Sequence, residues 1–215
     1  LVLIEDCAHA LGTVCSGVHA GNYGITGNFS FYPTKQITTG EGGLVISNDE
    51  KIIDEVKQLK AFGIDTPPEM RKKPGVYDVQ DLGYNYRMTD FQAALGLGQM
   101  ERYAENLNKR KRNGKYYSEL LEDMEGVNSP KYSGDNSYFL FQIILDERID
   151  RDHVISKLKK KGVGVSIHYA TPVPLMSYYK RKYGFEENNF PNAAHYGRQS
   201  ISLPDGSFGM LSIAC

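Results

Sequence analysis

The stretch from Asn28 to Gly43 constrains this chain more than any other. It opens as a short aromatic run, with Phe29 and Phe31 predicted on one face of a strand and Ser30 and Tyr32 on the other. Pro33 cannot donate to a sheet ladder, so the strand must end before it. A lone lysine, Lys35, follows between hydroxyl residues and the turn Gly40-Glu41-Gly42-Gly43. No lysine or arginine precedes it, and the next after it is Lys51. An ammonium held in such a place is open to desolvation, which favours the neutral amine that attacks carbonyl groups. The competing reading is a surface lysine beside a hairpin.

The first residues add a second constraint. Leu1-Val2-Leu3-Ile4 is an apolar run that predicts a strand buried on both faces, and it ends in Glu5-Asp6-Cys7-Ala8-His9-Ala10. Acidic residues at the carboxyl end of a parallel strand stand where open α/β sheets bind ligands. A carboxylate that keeps a pyridine nitrogen protonated, together with a lysine that forms a Schiff base, is the pair that pyridoxal 5'-phosphate needs.

Four blocks occur in order: Glu5-Asp6-Cys7-Ala8-His9, Phe29-Ser30-Phe31-Tyr32-Pro33-Thr34-Lys35, Thr39-Gly40-Glu41-Gly42-Gly43 and Gly83-Tyr84-Asn85-Tyr86-Arg87-Met88-Thr89-Asp90-Phe91-Gln92-Ala93-Ala94. Together they resemble the DegT/StrS family of aminotransferases that act on nucleotide-linked keto-sugars, over essentially the whole chain. The resemblance implies an α/β fold, the PLP-transferase fold type I. Residues 1–125 would be the C-terminal part of the large mixed/parallel-sheet domain, and residues 126–215 a small C-terminal α+β domain, incomplete at its end. It also implies an N-terminal portion, carrying the first part of the main sheet and a phosphate-binding turn, outside these 215 residues.

The resemblance assigns roles residue by residue. Lys35 becomes the Schiff-base lysine and the proton shuttle of each half reaction. Asp6 becomes the partner of the pyridine nitrogen, although an aspartate before Cys7-Ala8-His9-Ala10 would also suit a helix N-cap, and Glu5 would then point the opposite way. His9 is expected against the cofactor ring, with a packing histidine as the alternative. Ser30 is expected on the cofactor phosphate, with a solvent-facing strand serine as the alternative. Asn85 matches the asparagine that reaches the partner's cofactor phosphate in the family, which implies a homodimer with shared active sites; read locally, it is a turn residue. Tyr32, Arg87, His168 and Tyr169 are candidates for the substrate pocket. His168-Tyr169 before Thr171-Pro172 resembles a family pattern, with one residue more than the family has there.

Composition removes several other classes. The 25 lysines and arginines nearly balance the 26 aspartates and glutamates, for a formal net charge of -1, so nothing draws the chain to nucleic acid or an anionic membrane. No apolar run is long enough to span a bilayer, and no leader-like segment opens the sequence. Cys7, Cys15 and Cys215 have no metal-site spacing and suit a reducing cytoplasm, and the five histidines are scattered, so no metal is expected. No Gly-x-Gly-x-x-Gly fingerprint is present.

The remaining pattern predicts a strand over 43–48 and a helix opened by a Ser47/Glu50 capping box that ends near Phe62-Gly63. Residues 63–88 are punctuated by proline and glycine. A helix capped by Thr89 with Gln92 follows, then a second helical stretch over 109–124. Beyond Gly126–Gly134 come predicted strands at 138–145 and 162–169, with a helix over 152–161 between them.

The expectation is a PLP-dependent aminotransferase that moves an amino group from glutamate to the keto group of a nucleotide-linked deoxy-sugar for polysaccharide or glycan biosynthesis. A keto-deoxy-sugar dehydratase is the nearest rival, but that branch of the family carries histidine where this chain has Lys35. A non-catalytic regulatory member is the other rival.

Overall fold

The computed structural model describes residues 1–131 and 134–204. The chain packs as two units. The first holds residues 1–105 and is rejoined by 134–137; the second holds 106–131 and 138–204.

The first unit is built on a three-stranded sheet. Strand β1 (Ile4–Asp6) runs parallel to β4 (Thr26–Ser30), and β4 runs antiparallel to β5 (Gly43–Ile46), in the order β1-β4-β5. Between β1 and β4 sits a small hairpin of β2 (Val14–Cys15) and β3 (Val18–His19). Its two turn residues, Ser16 and Gly17, both have positive φ, the geometry that matches the twist of a tight hairpin. Val14 also exchanges backbone hydrogen bonds with Asp135, and Thr13 donates to the Ser137 hydroxyl at 3.0 Å, which is how 134–137 returns to this unit.

The strand expected over 28–32 lies two residues earlier, as β4, and ends at Ser30, before Pro33, so Phe31 and Tyr32 fall outside it; the strand expected over 43–48 is present in shortened form as β5. Leu1–Ile4 correct the expectation: only Ile4 belongs to β1, which pairs with β4 alone, and all four side chains are exposed, because among the described residues no element covers the faces from which they project. Helix α1 (Glu50–Leu59) follows β5. Its cap is Asp49, whose carboxylate accepts from the Lys51 amide at 2.9 Å, and not Ser47. The Ser47 hydroxyl is engaged in donating to the Ile25 carbonyl at 2.7 Å.

Helix α2 (Asp90–Leu121) is continuous, where two helical stretches were predicted. Its start is the expected capping box: the Thr89 amide donates to Gln92 Oε1 at 2.9 Å, and the Gln92 amide donates to Thr89 Oγ1 at 3.3 Å. Gly96, Gly98 and Gly114 do not interrupt it; a glycine costs a helix only about 1 kcal/mol, less than packing along 32 residues returns.

The second unit has an antiparallel sheet in the order β6 (Val127–Asn128), β7 (Phe141–Leu145), β8 (Ser200–Leu203). Helices α3 (Arg151–Lys160), α4 (Ser177–Tyr183) and α5 (Pro191–Gln199) complete it. Phe141, Ile143 and Leu145 alternate inward and join Tyr138 and Ile201 in the core, with Tyr117 and Leu121 of α2 packed against them. Each such buried side chain contributes roughly 1.5–3 kcal/mol by leaving water. This contact explains why the packing division falls inside α2 at 105/106, ahead of the 125/126 boundary read from the turn residues. Residues 162–169 do not form the predicted strand; one bridge, Ser166 with Ser202, is what pairs there. Helices α4 and α5 and strand β8 were not predicted at all.

Among the described residues no helix is long and apolar enough to cross a membrane, and no three His, Cys, Asp or Glu side chains converge as a metal site. Cys7 and Cys15 are free thiols; Cys215 lies outside the described residues.

Candidate active site

Because β1 and β4 are parallel, their carboxyl ends lie on one edge of the sheet. Asp6 pairs with Asn28, and Ser30 stands two residues further along β4, so period-two alternation puts Asp6, Asn28 and Ser30 on one sheet face. Strand spacings put the Asp6 and Ser30 Cα atoms about 8 Å apart. Lys35 hangs from the same edge, in the loop that leaves β4.

The neighbouring carboxylates have separate tasks. Asp6 Oδ1 accepts from the Ala8 amide at 3.0 Å, which forms a tight turn and opens no helix, so the N-cap alternative falls. Glu5 faces the other side of the sheet. Its carboxylate accepts from the amides of Gly21, Tyr23 and Gly24 at 2.7, 2.7 and 2.6 Å and so holds the loop between β3 and β4. The Gly24 hydrogen bond, with those of Gly21 and Tyr23, pulls its pKa below the ordinary carboxylate value. Cys7, buried between these elements, has its thiol pushed up by burial and by Glu5.

Ser30 Oγ accepts from the Tyr32 amide at 3.3 Å at the strand end, and Tyr32 itself is exposed. Lys35 is half-buried, and its amide donates to the Tyr32 carbonyl at 2.9 Å, so it rides on a closed turn. His9 is exposed just beyond the Asp6 turn.

Asn85 and Arg87 belong to the segment before α2. Asn85 pairs with Ala61 through the backbone, and its Oδ1 accepts from Arg87 Nε at 3.3 Å. Arg87 lies over the Phe62 ring at 4.7 Å, and Tyr84 stacks on Tyr86 at 4.9 Å. Arg87 also lines a cavity of ≈ 690 Å³, together with Lys57, Lys60 and Leu44. Asn28 and Gly42 line the same cavity, while neither Asp6 nor Lys35 is among its lining residues.

His168 and Tyr169 belong to the second unit. His168 Nδ1 lies 2.8 Å from Ser202 Oγ and 3.3 Å from Ser166 Oγ, and its carbonyl accepts from Gln142 Nε2 at 2.8 Å. Burial lowers the pKa of its imidazole. Tyr169 is exposed, its ring edge-on to His168 at 5.3 Å.

Several supporting residues were missed in the sequence: Thr38, Gln99, Gln142 and Ser202. For Gln99 a signal existed, since Gln92, Gly96 and Gln99 recur at helical spacing on α2. For Ser202 there was none, because β8 was not foreseen.

The sheet-edge donor set fits pyridoxal phosphate. It offers one carboxylate oriented through a single oxygen, a hydroxyl at the neighbouring strand end and a lysine on the next turn. That chemistry suits a pyridine nitrogen, a phosphate and an aldehyde in turn.

Comparison with known proteins agrees with this. The chain is 33% identical over 206 residues to UDP-4-amino-4,6-dideoxy-N-acetyl-beta-L-altrosamine transaminase of Campylobacter jejuni, covering 94% of this chain and 53% of the relative. It is 36% identical over 208 residues to GDP-perosamine synthase of Vibrio cholerae, covering 95% and 54%. Among solved structures it resembles the putative sugar aminotransferase Spr1654 of Streptococcus pneumoniae in its PMP form, with a TM-score of 0.82, 29% identity and coverage of 95% and 54%. The chain thus spans about half the length of the relatives it matches. The fold is that of the PLP-dependent aminotransferases. The family profile matches residues 1–207, and the chain belongs to the DegT/DnrJ/EryC1/StrS aminotransferase family.

Proposed function

We propose that the full-length protein moves the amino group of glutamate to the keto group of a nucleotide-linked deoxy-sugar, for glycan or polysaccharide biosynthesis. The observation that carries this reading is the shared carboxyl edge of β1 and β4, which gathers Asp6, Ser30 and Lys35. Two relatives support the substrate class, one named for a UDP-linked amino-sugar transaminase and the other for GDP-perosamine synthesis.

Pyridoxal phosphate, when bound, supplies the electron sink that stabilises negative charge at the donor's α-carbon. Asp6 would hold the ring nitrogen and keep it protonated, with the Ala8 amide fixing the carboxylate's orientation. Ser30 Oγ would hold the phosphate, and His9 would serve the ring. Lys35 Nζ would tether the cofactor and, once the amino donor has displaced it, would carry a proton between the substrate carbon and the cofactor carbon within each half reaction. Asn85 would serve the phosphate held by the partner subunit of a homodimer, and Tyr32, Arg87, His168 and Tyr169 would be the side chains offered to the sugar nucleotide. Residues 1–125 and 126–215 serve as the large and small domains, in the cytoplasm where nucleotide sugars are made.

The test is the visible spectrum of the full-length protein with pyridoxal phosphate, before and after glutamate, beside Lys35→Ala. A lysine-linked band that fades with glutamate and is absent from the variant is expected. A wild-type protein with no such band overturns the proposal.

A further inference from the structure

Residues 32–37 leave the sheet and return to it. Their return is closed at Phe31, whose carbonyl accepts from the Thr39 amide at 3.0 Å and from Thr38 Oγ1 at 3.0 Å. Lys35 sits in the middle of this excursion. Gln36, Ile37 and Thr39 around it are buried, so the loop is packed and not a free surface turn. Thr38 Oγ1 also accepts from the Gly40 amide at 2.9 Å, which joins the lysine loop to the glycine turn.

The closure is gripped from α2. Gln99 Oε1 accepts from the Thr38 amide at 3.1 Å, and Gln99 Nε2 donates to the Thr38 carbonyl at 2.5 Å and to Leu95 O at 3.1 Å. One side-chain amide thus satisfies both backbone groups of Thr38, as a neighbouring strand would. Two turns earlier on the same helix face, Gln92 Nε2 donates to the Glu41 carbonyl at 2.8 Å. Gly96 lies between them, and a Cβ there would stand 3.1 Å from Thr39 Cγ2. Gln92, Gly96 and Gln99 form a socket for residues 38–41.

We propose that Gln99 is a positioning residue for Lys35, acting through Thr38; this rests on the role given to Lys35 above. Thr38 is three residues from Lys35, and its amide and carbonyl are fixed by a group on a different element. Loss of that grip removes the hold of α2 on both backbone groups of Thr38, leaving its hydroxyl contacts with Phe31 and Gly40, and lets the loop that carries Lys35 shift from its working position. Chemistry that depends on a near-attack geometry is sensitive to such drift.

The experiment uses the full-length protein loaded with pyridoxal phosphate. Borohydride reduction and peptide mapping of the wild type first establish whether Lys35 carries the cofactor; a label elsewhere removes the functional reading itself, and the Gln99 proposal with it. Gln99→Met, Gln99→Glu and Gln58→Met are then compared. Gln58 Nε2 donates to the Gly63 carbonyl at 3.2 Å and serves as a peg remote from the loop. The readouts are the visible circular dichroism of the lysine-linked band, amide exchange across 32–41, and kcat and KM for glutamate. Gln99→Met should change the dichroic band, speed exchange in 32–41 and lower kcat by roughly ten- to hundredfold, with KM nearly unchanged. Gln99→Glu keeps an acceptor for the Thr38 amide and should fall between, and Gln58→Met should match the wild type. With Lys35 labelled, a Gln99→Met protein that keeps the wild-type band and kcat overturns the proposal, as does a Gln58→Met protein that reproduces the change. Should Gln99→Met fail to fold, Gln99→Glu and Gly96→Ala decide by the same readouts.

Discussion

Glu5 accepts the backbone N–H of Gly24 at 2.6 Å, and the residue beside it on β1, Asp6, faces the opposite side of the sheet. With the Gly21 and Tyr23 amides also on its carboxylate, Glu5 is a structural acid that shapes the loop entering β4. The three hydrogen bonds lower its pKa in the folded state. Its contribution to stability is therefore full above the unfolded value, about 4.3, and is lost as pH falls through the lower folded value. Glu5→Gln carries one acceptor oxygen and an amine that opposes the amides. The variant should melt below the wild type at pH 7, with the gap closing as pH falls below about 4. Melting curves across pH check this, and a gap that stays constant would sink it.

Asp6→Asn gives the complementary result. Asparagine keeps an oxygen for the Ala8 amide, so the turn survives and the melting temperature should match the wild type. What is lost is the negative charge at the strand end. On the proposed function this lowers kcat by roughly a hundredfold or more, the order seen when one preorganised electrostatic partner is removed. Steady-state kinetics beside a melting curve separate the two adjacent carboxylates by role.

How much of this could be read in advance follows from the range of the interactions. The strand ending at Pro33, the Thr89/Gln92 box and the Asp6–Lys35 pairing depend on neighbours in sequence or on family resemblance, and the first two appear in the structure as expected. The Ser47 cap failed because its hydroxyl found Ile25, 22 residues away. Two helices became one because Gly96 and Gly114 sit where neighbouring side chains approach closely, and a single glycine such as Gly98 costs a helix little. The strand at 162–169 failed because Ser202, the residue it bridges, lies in an element that periodicity did not reveal. The grip of Gln99 on Thr38 spans 61 residues; the spacing of Gln92, Gly96 and Gln99 on α2 marks one end of it, and nothing near Thr38 marks the other.

Gly114 shows why one of those glycines is required. A Cβ there would lie 2.2 Å from Tyr138 Cδ1, inside the core of the second unit. Alanine gains about 1 kcal/mol of helix propensity. Overpacking a well-filled core costs about 1–3 kcal/mol, and the ring cannot move without disturbing Phe141, 6.3 Å away. Gly114→Ala should therefore be destabilised by up to about 2 kcal/mol in urea unfolding. A variant more stable than the wild type would show that Tyr138 repacks freely.

His168 is a histidine held neutral by its surroundings in the second unit. Burial lowers its pKa, and its Nδ1 lies 2.8 Å from the hydroxyl of Ser202, itself buried on β8. The unfolded chain, with an ordinary histidine near 6.5, takes up the proton first as pH falls. Stability from this residue is thus present above about 6.5 and declines as pH drops toward the folded value. In a proton NMR titration His168 should stay neutral to a lower pH than a histidine in the denatured chain. His168→Gln should flatten the fall in stability just below pH 6.5, while Ser202→Ala, which removes the hydroxyl but keeps the burial, should leave the titration lowered. A titration in Ser202→Ala that returns to the ordinary value would place the cause in the hydroxyl and not in desolvation, and would reverse the assignment made here.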